Sequence, residues 1–375
     1  MGHRDARFLL EGIQQAYWVG QTAALELSIP ASYYVEADIE ADLAAGLTPA
    51  LGRLLQRHPM LRAVILSSGE QHVLDEVGSY EVQILDLRNL TAPRREERRE
   101  ALRAEMRARE LPPNVWPQFD IRATRNEAGL RLHLRFALWM MDGWSFHLLL
   151  QELLTLSADP AASLPPLAMS FADYVEAQRQ VRQGPQWRKA WDYWQPRLPH
   201  FPGPPALPLT RRLGGGERPR FRHISSRLAA EEWARVVGVC AKFRLTPSLL
   251  ACAVYTEVLA RYAGSSHFAI TVLYSGRFKH LPRASGVFGN FGTTILLEVD
   301  ASRERTFLER ARSLQRQFWR DAERIEVSGI DVTRALQQRA QTGPGVSVPV
   351  TFTAVTPPAT ADDRRRPKAR IDHAS

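Results

Sequence analysis

The sequence predicts an α/β protein, with helices layered on sheets and the chain divided between two similar-sized lobes. Three observations lead there. The chain has 375 residues, more than one hydrophobic core commonly serves. Stretches with strand-like content or period-2 alternation take turns with stretches of helical spacing in both halves. Between the halves, residues 197–218 (RLPHFPGPPALPLTRRLGGGER) are dense in Pro and Gly and read as a linker. The expected organisation is an N-terminal lobe over 1–196, the linker over 197–218, a second lobe over 219–356 and a polar, disordered tail over 357–375.

In the first lobe, SYYVEADI at 32–39 has the aromatic and β-branched content of a strand, and helical spacing follows before the chain passes into another strand. YEVQILDL predicts a further strand. The span of about 92–109 predicts a charged helix whose interleaved signs suit a solvated face. LRLHLRFAL alternates: Leu132, Leu134, Phe136 and Leu138 share one face, and His133, Arg135 and Ala137 share the other. The first face is core, and the second is available to line a cavity. After Ser145, FHLLLQELLTL is apolar on too many sides for a surface helix. The turn at Asp142-Gly143 therefore belongs where a buried strand hands over to a buried helix, a junction where function often collects.

The second lobe repeats this style. LAAEEWARVVGVCAKFR is helical; Thr246-Pro247 supplies an N-cap and first-turn proline for the next helix, which stops at Gly264. HFAITVLY and TTILLEV are strands, ERTFLERARSLQRQFWRDAER is a helix, and VSVPVTFTAV is a strand again.

Composition narrows the function classes. Lys+Arg 49 against Asp+Glu 40 gives a net charge of +9, yet Lys189, Lys242, Lys279 and Lys368 are the only lysines. The arginines alternate with acids, which argues against a nucleic-acid surface, and no recognition motif or aromatic-basic platform accompanies them. Cys240 and Cys252 fall within one helical region and define no disulfide framework, so a reducing cytoplasm is expected. No run approaches the roughly 20 apolar residues of a membrane span, and the N-terminus lacks a signal-peptide core. A phosphate loop is missing, and His133 and His147 lack metal-ligand spacing and read as structural. Ser145 lies outside any Gly-x-Ser-x-Gly elbow and suits helix capping.

An ordered series of stretches carries more information. QQAYWVGQ at 14–21, RHPMLRAV at 57–64, MDGWSFHLLLQEL at 141–153, LPPLAMSFADYVEAQ, YWQPRLPHFPGPPALPL, LTPSLLACAVYTEVLARYAG, GVFGNFGTTILLEVD, VSGIDVTRAL and VPVTFTAV resemble, in order, the motifs of nonribosomal peptide synthetase condensation domains, and among them the heterocyclization branch. The resemblance spans about residues 13–355. It implies two chloramphenicol-acetyltransferase-like lobes in a V around a tunnel, entered by the phosphopantetheine arms of donor and acceptor carrier proteins. It also implies amide formation between carrier-bound substrates, with cyclodehydration onto Cys, Ser or Thr in the heterocyclization branch. No metal or directly bound cofactor is implied.

The resemblance also assigns residues. Asp142 and Ser145 fit the last two fixed positions of the heterocyclization motif Asp-x-x-x-x-Asp-x-x-Ser; Ala137 takes the place of its first Asp. Leu138 stands where ordinary condensation members carry their second histidine, and it can serve neither as base nor as donor. Asp142 and Gly143 are expected to be structural at the active site, with Asp142 paired to Arg277 of the other lobe in a bidentate clasp. Ala137, Leu138, Trp144, Asn290 and Gly292 are expected along the substrate tunnel. Thr353, Asp372 and Ser145 are the catalytic candidates: Thr353 matches a strand Thr and Asp372 a downstream Asp of the branch. The short C-terminal segment is expected to leave apolar surface exposed on the second lobe, which either another chain covers, with adenylation modules as further partners, or which marks a truncated or decayed relative. The alternative reading is a non-catalytic member that docks carrier proteins or a synthetase partner, which the basic balance would favour.

Overall fold

The computed structural model describes residues 7–20, 31–209, 222, 224–277, 282–302, 306–339, 348–355 and 370–374. The elements in chain order are β1 (Arg7–Leu9), α1 (Ile13–Gly20), β2 (Ser32–Ile39), α2 (Leu47–Arg57), β3 (Ala63–Ile65), β4 (Glu70–Val73), β5 (Gln83–Asp86), α3 (Ala92–Ala108), β6 (Phe119–Asn126), β7 (Gly129–Ala137), α4 (Gly143–Ala158), α5 (Phe171–Gln183), α6 (Pro185–Trp194), α7 (Ala230–Phe243), α8 (Pro247–Tyr262), β8 (His267–Ser275), β9 (Gly292–Asp300), α9 (Phe307–Ala322), α10 (Gly329–Arg339), β10 (Thr351–Phe352) and β11 (Arg370–Ala374). The strand and helix sequence expected from the residues is recovered almost throughout. In VSVPVTFTAV only Thr351–Phe352 join a ladder, and Val346 and Ser347 lie outside the described residues.

The chain forms two compact units. The first comprises 1–176, 277–291 and 357–375; the second comprises 177–276 and 292–356. The first division therefore falls inside α5 rather than at the expected 196–219 boundary. The reason is packing: Ala190 and Trp194 of α6 and the following Leu198 share a core with Leu296, Val332 and Leu336, so the chain has joined the second unit before the Pro-rich stretch begins. Residues 210–218 of the expected linker, and 357–369 of the expected tail, lie outside the described residues.

The first unit is built on a five-stranded sheet of order β11-β2-β7-β6-β5. Alternation decides its two faces. Val35, Ala37 and Ile39 of β2, Leu130, Leu132, Leu134 and Phe136 of β7, and Phe119, Ile121 and Ala123 of β6 are buried in the main core. α2 and α4 supply the opposing layer through Leu47, Leu51 and Leu54 and through Phe146, Leu149 and Leu153. A second sheet of order β1-β4-β3 flanks this core.

On the other face of the main sheet His133 and Arg135 are buried. α3 covers that face, and its Leu102 and Met106 pack on Tyr34. Beneath the helix the fully buried Glu36 accepts from Arg103 at 2.5 and 2.9 Å and from the Tyr34 hydroxyl at 2.9 Å. His133 sits between Tyr34 Oη (2.7 Å) and Thr124 Oγ1 (3.1 Å). Since Tyr34 donates to the carboxylate, its oxygen accepts from His133 Nδ1–H. Arg135 reaches the carbonyls of Met106 and Arg109. The charged helix is thus a lid on a polar sheet face, with part of its charge directed inward.

The described end of the tail is also ordered. Arg370–Ala374 form β11, antiparallel to β2, with an irregular register between Ile371 and His373. This corrects the expectation of disorder for those five residues.

The second unit holds a three-stranded sheet of order β10-β8-β9, in which β10 runs parallel to β8. One face packs on α8 and α9 through Leu249, Cys252, Leu259, Leu314 and Phe318, and the other on α6 and α10. Thr246 caps α8 as its sequence implies, accepting from Leu249 N. Trp233, Val237, Val254 and Val258 stand exposed on α7 and α8. Among the described residues no single helix is long and apolar enough to cross a membrane, and no group of three His, Cys, Asp or Glu could hold a metal ion.

Candidate functional site

β7 ends at Ala137, and the turn 138–141 leads to Asp142, the N-cap of α4. Trp139, Met140 and Met141 are buried in the core, which anchors the turn from below. Its polar groups are held from several directions. Leu138 N donates to Ala31 O at 2.9 Å, Gln14 Nε2 donates to Trp139 O at 2.9 Å, and the Trp139 indole donates to Gln118 Oε1 at 3.0 Å. Asn290 Nδ2 donates to Leu138 O at 2.6 Å.

Asp142 and Arg277 meet. Arg277 is fully buried, and its Nη2 lies 3.0 Å from Asp142 Oδ1, 3.3 Å from Oδ2 and 2.8 Å from Ser145 Oγ. Its Nη1 donates to the carbonyls of Ala284 (2.7 Å) and Val287 (2.6 Å). The guanidinium also lies 3.8 Å from the Phe291 ring centroid, a cation–π contact. Burial pushes the Arg277 pKa down and the Asp142 carboxylate pushes it back up. A guanidinium keeps its proton in either case.

Two parts of the expected clasp are corrected. Arg277 belongs with 277–291 to the first unit, so the contact is internal to that unit. A single nitrogen, rather than a two-nitrogen fork, serves the carboxylate, because Nη1 is occupied by the two carbonyls.

Ser145 completes the arrangement. Its N–H donates to Asp142 Oδ1 at 2.7 Å, the capping interaction its position implied. Its buried hydroxyl donates to Gly289 O at 2.6 Å and accepts from Gly289 N at 3.0 Å and from Arg277. One donor and two lone pairs are all a hydroxyl has, so Ser145 is saturated. Asp142 Oδ2 additionally accepts from Phe291 N at 3.3 Å. Gly289 has to be glycine: a Cβ there would lie 2.2 Å from Cδ2 of Phe171. Trp144 donates its indole N–H to Ser285 O at 3.0 Å, a further tie to the same segment.

The structure therefore brings together Ala137, Leu138, Asp142, Gly143, Trp144, Ser145, Arg277 and Asn290. Gly292 opens β9 of the second unit, and Thr353 follows β10 in that unit, exposed. Asp372 lies on β11 at the register irregularity. Gln14, Gln118 and Gly289 were not singled out from the sequence, although Gln14 and Gly289 fall inside two of the quoted motifs. Chemically the cluster is a scaffold: Ala137 and Leu138 carry no proton, and the Asp142 carboxylate and Ser145 hydroxyl are committed. The next titratable side chain along α4 is the half-buried His147, whose pKa burial pushes down, so its imidazole is neutral near pH 7.

Comparison with known proteins agrees with this construction. The Condensation domain family matches residues 9–353, and the chain belongs to that family. It is 31% identical to pyochelin synthetase PchF of Pseudomonas aeruginosa over 94% of this chain and 20% of that protein. It is also 31% identical to phenyloxazoline synthase MbtB of Mycolicibacterium paratuberculosis, over 92% of this chain and 29% of that one. Among solved structures, the EpoB cyclization-docking bidomain from Sorangium cellulosum superposes with a TM-score of 0.85 at 29% identity, covering 99% of this chain and 74% of that one. The chain thus spans less than a third of these two curated relatives.

Proposed function

We propose that the chain acts as a condensation domain of the heterocyclization type in nonribosomal peptide assembly, on acyl and aminoacyl thioesters carried by phosphopantetheine arms. The observation that carries this reading is the Asp142–Arg277–Ser145–Gly289 cluster, formed at the motif positions of a family whose matched members include a phenyloxazoline synthase and a cyclization domain. With no committed general base at the turn, catalysis rests chiefly on holding two tethered substrates together, an effect able to supply roughly 7–11 kcal/mol. Thr353 and Asp372 are the candidates for proton handling in cyclodehydration, and no metal or resident cofactor takes part. The carrier proteins are the partners, and the two buried, unpaired thiols fit a cytoplasmic setting.

Reconstitution with loaded donor and acceptor carriers, read by intact mass, tests this. An acceptor-bound amide lighter by one water supports heterocyclization, and an amide without that loss restricts the activity to condensation. Carrier binding with no product would refute the catalytic reading. It would favour the second one, a docking scaffold, for which Ala137, Leu138 and the saturation of Asp142 and Ser145 speak.

A further inference from the structure

Asn290 is 6% exposed, and its side-chain amide meets the carbonyl of Leu138 at 2.6 Å. A backbone carbonyl accepts and never donates, so the atom facing it has to be the amide nitrogen. A carboxylate in the same place would set an acceptor against an acceptor with little water to relieve it.

This contact differs in direction from its neighbours. Asp142–Arg277 and Ser145–Gly289 fasten 277–291 to the start of α4, whereas Asn290 reaches to the first residue of the turn before it. The next carbonyl, that of Trp139, is held by another side-chain amide, Gln14. Leu138 brings no polar side chain, so its backbone N–H and C=O are its polar groups, and the second is held by Asn290.

We propose that Asn290 is a positioning residue: its N–H donor sets the 138–141 turn, and with it the Asp142 cap, against segment 277–291. A proton-bearing side chain is required there. The consequence for product formation rests on the condensation reading given above; the contact itself does not.

Asn290→Asp and Asn290→Ala in the full chain separate the possibilities, because the new carboxyl donates only when protonated. Melting temperature is followed from about pH 8 down to about pH 4, through the ordinary carboxyl range and above it. Asn290→Asp is expected to melt below wild type at the upper end and to close the gap as the pH falls, whereas Asn290→Ala keeps a constant deficit. If Asn290→Asp fails to fold at the upper end, refolding on acidification is the expected result and its absence the refutation.

With loaded carriers, turnover by Asn290→Asp is expected to drop about tenfold at the upper pH, the cost of one buried hydrogen bond. It recovers relative to wild type at the lower pH, while the KM for the carrier stays unchanged. An Asn290→Asp chain that tracks wild type, or tracks Asn290→Ala, at every pH overturns the proposal. A wild-type chain that forms no product sinks the condensation reading instead and leaves the melting comparison to decide Asn290.

Discussion

Replacing Arg277 by alanine removes the side chain on which the 277–291 segment closes. The substitution strands the Asp142 carboxylate, which is 11% exposed, and frees the carbonyls of Ala284 and Val287 from their donor. Breaking a buried ion pair from one side costs about 3–5 kcal/mol, and each abandoned carbonyl adds about 1 kcal/mol or more unless water reaches it. For a unit of this size each kcal/mol lowers the midpoint by roughly 2–4 °C, so Arg277→Ala should melt on the order of 10 °C below wild type. Asp142→Asn keeps an oxygen for Ser145 N–H and should lose less. The double variant should lose less than the sum, because both changes remove one shared contact. Thermal melting gives the midpoints, and hydrogen exchange at Gly289 and Phe291, whose N–H groups donate to Ser145 and Asp142, gives the local effect. Midpoints within a degree or so of wild type, with unchanged exchange at those two amides, would show that the cluster holds nothing.

Three further outcomes are expected. Gly289→Ala should destabilise the first unit by about 1–3 kcal/mol through overpacking on Phe171, and Phe171→Leu in the same chain should recover part of the loss on a melting curve. Glu36→Gln should flatten the acid limb of stability. Burial opposes the Glu36 charge, but Arg103 and His133 outweigh it and hold the carboxyl well below its usual range. Its stabilisation is thus complete above the unfolded value of about 4.3 and is lost as the pH falls below that, so wild type should lose midpoint more steeply than the variant there. Cys252, whose thiol burial pushes up to about 12, should resist Ellman's reagent until unfolding, and early labelling of the native chain would contradict its placement.

Much of the local structure was legible because it follows from neighbours in sequence. The alternation of Leu132, Leu134 and Phe136 chose the core face of β7, and Thr246-Pro247 marked the start of α8. Asp142 and Ser145 lie three residues apart, the spacing of a capping interaction, so the cap could be read before folding. The far side of the sheet could not: His133 and Arg135 face α3, some thirty residues upstream, and only the folded chain shows Arg103 reaching Glu36 and Arg135 reaching the Met106 carbonyl there. The pairing of β11 with β2 was likewise hidden, since a polar segment gives little strand signal until an open edge is available to it.

Taken alone, the order of residues determined the family, the alternation of strands and helices, and the identity of the two charged partners at the site. Tertiary structure decided which unit Arg277 joins, that one nitrogen rather than two serves Asp142, and that Ser145 and Asn290 bind the backbone of distant segments. The reason is physical. Periodicity and capping are properties of consecutive residues, whereas a hydrogen bond across more than a hundred residues depends on where a buried donor finds the acceptor that excludes water from it.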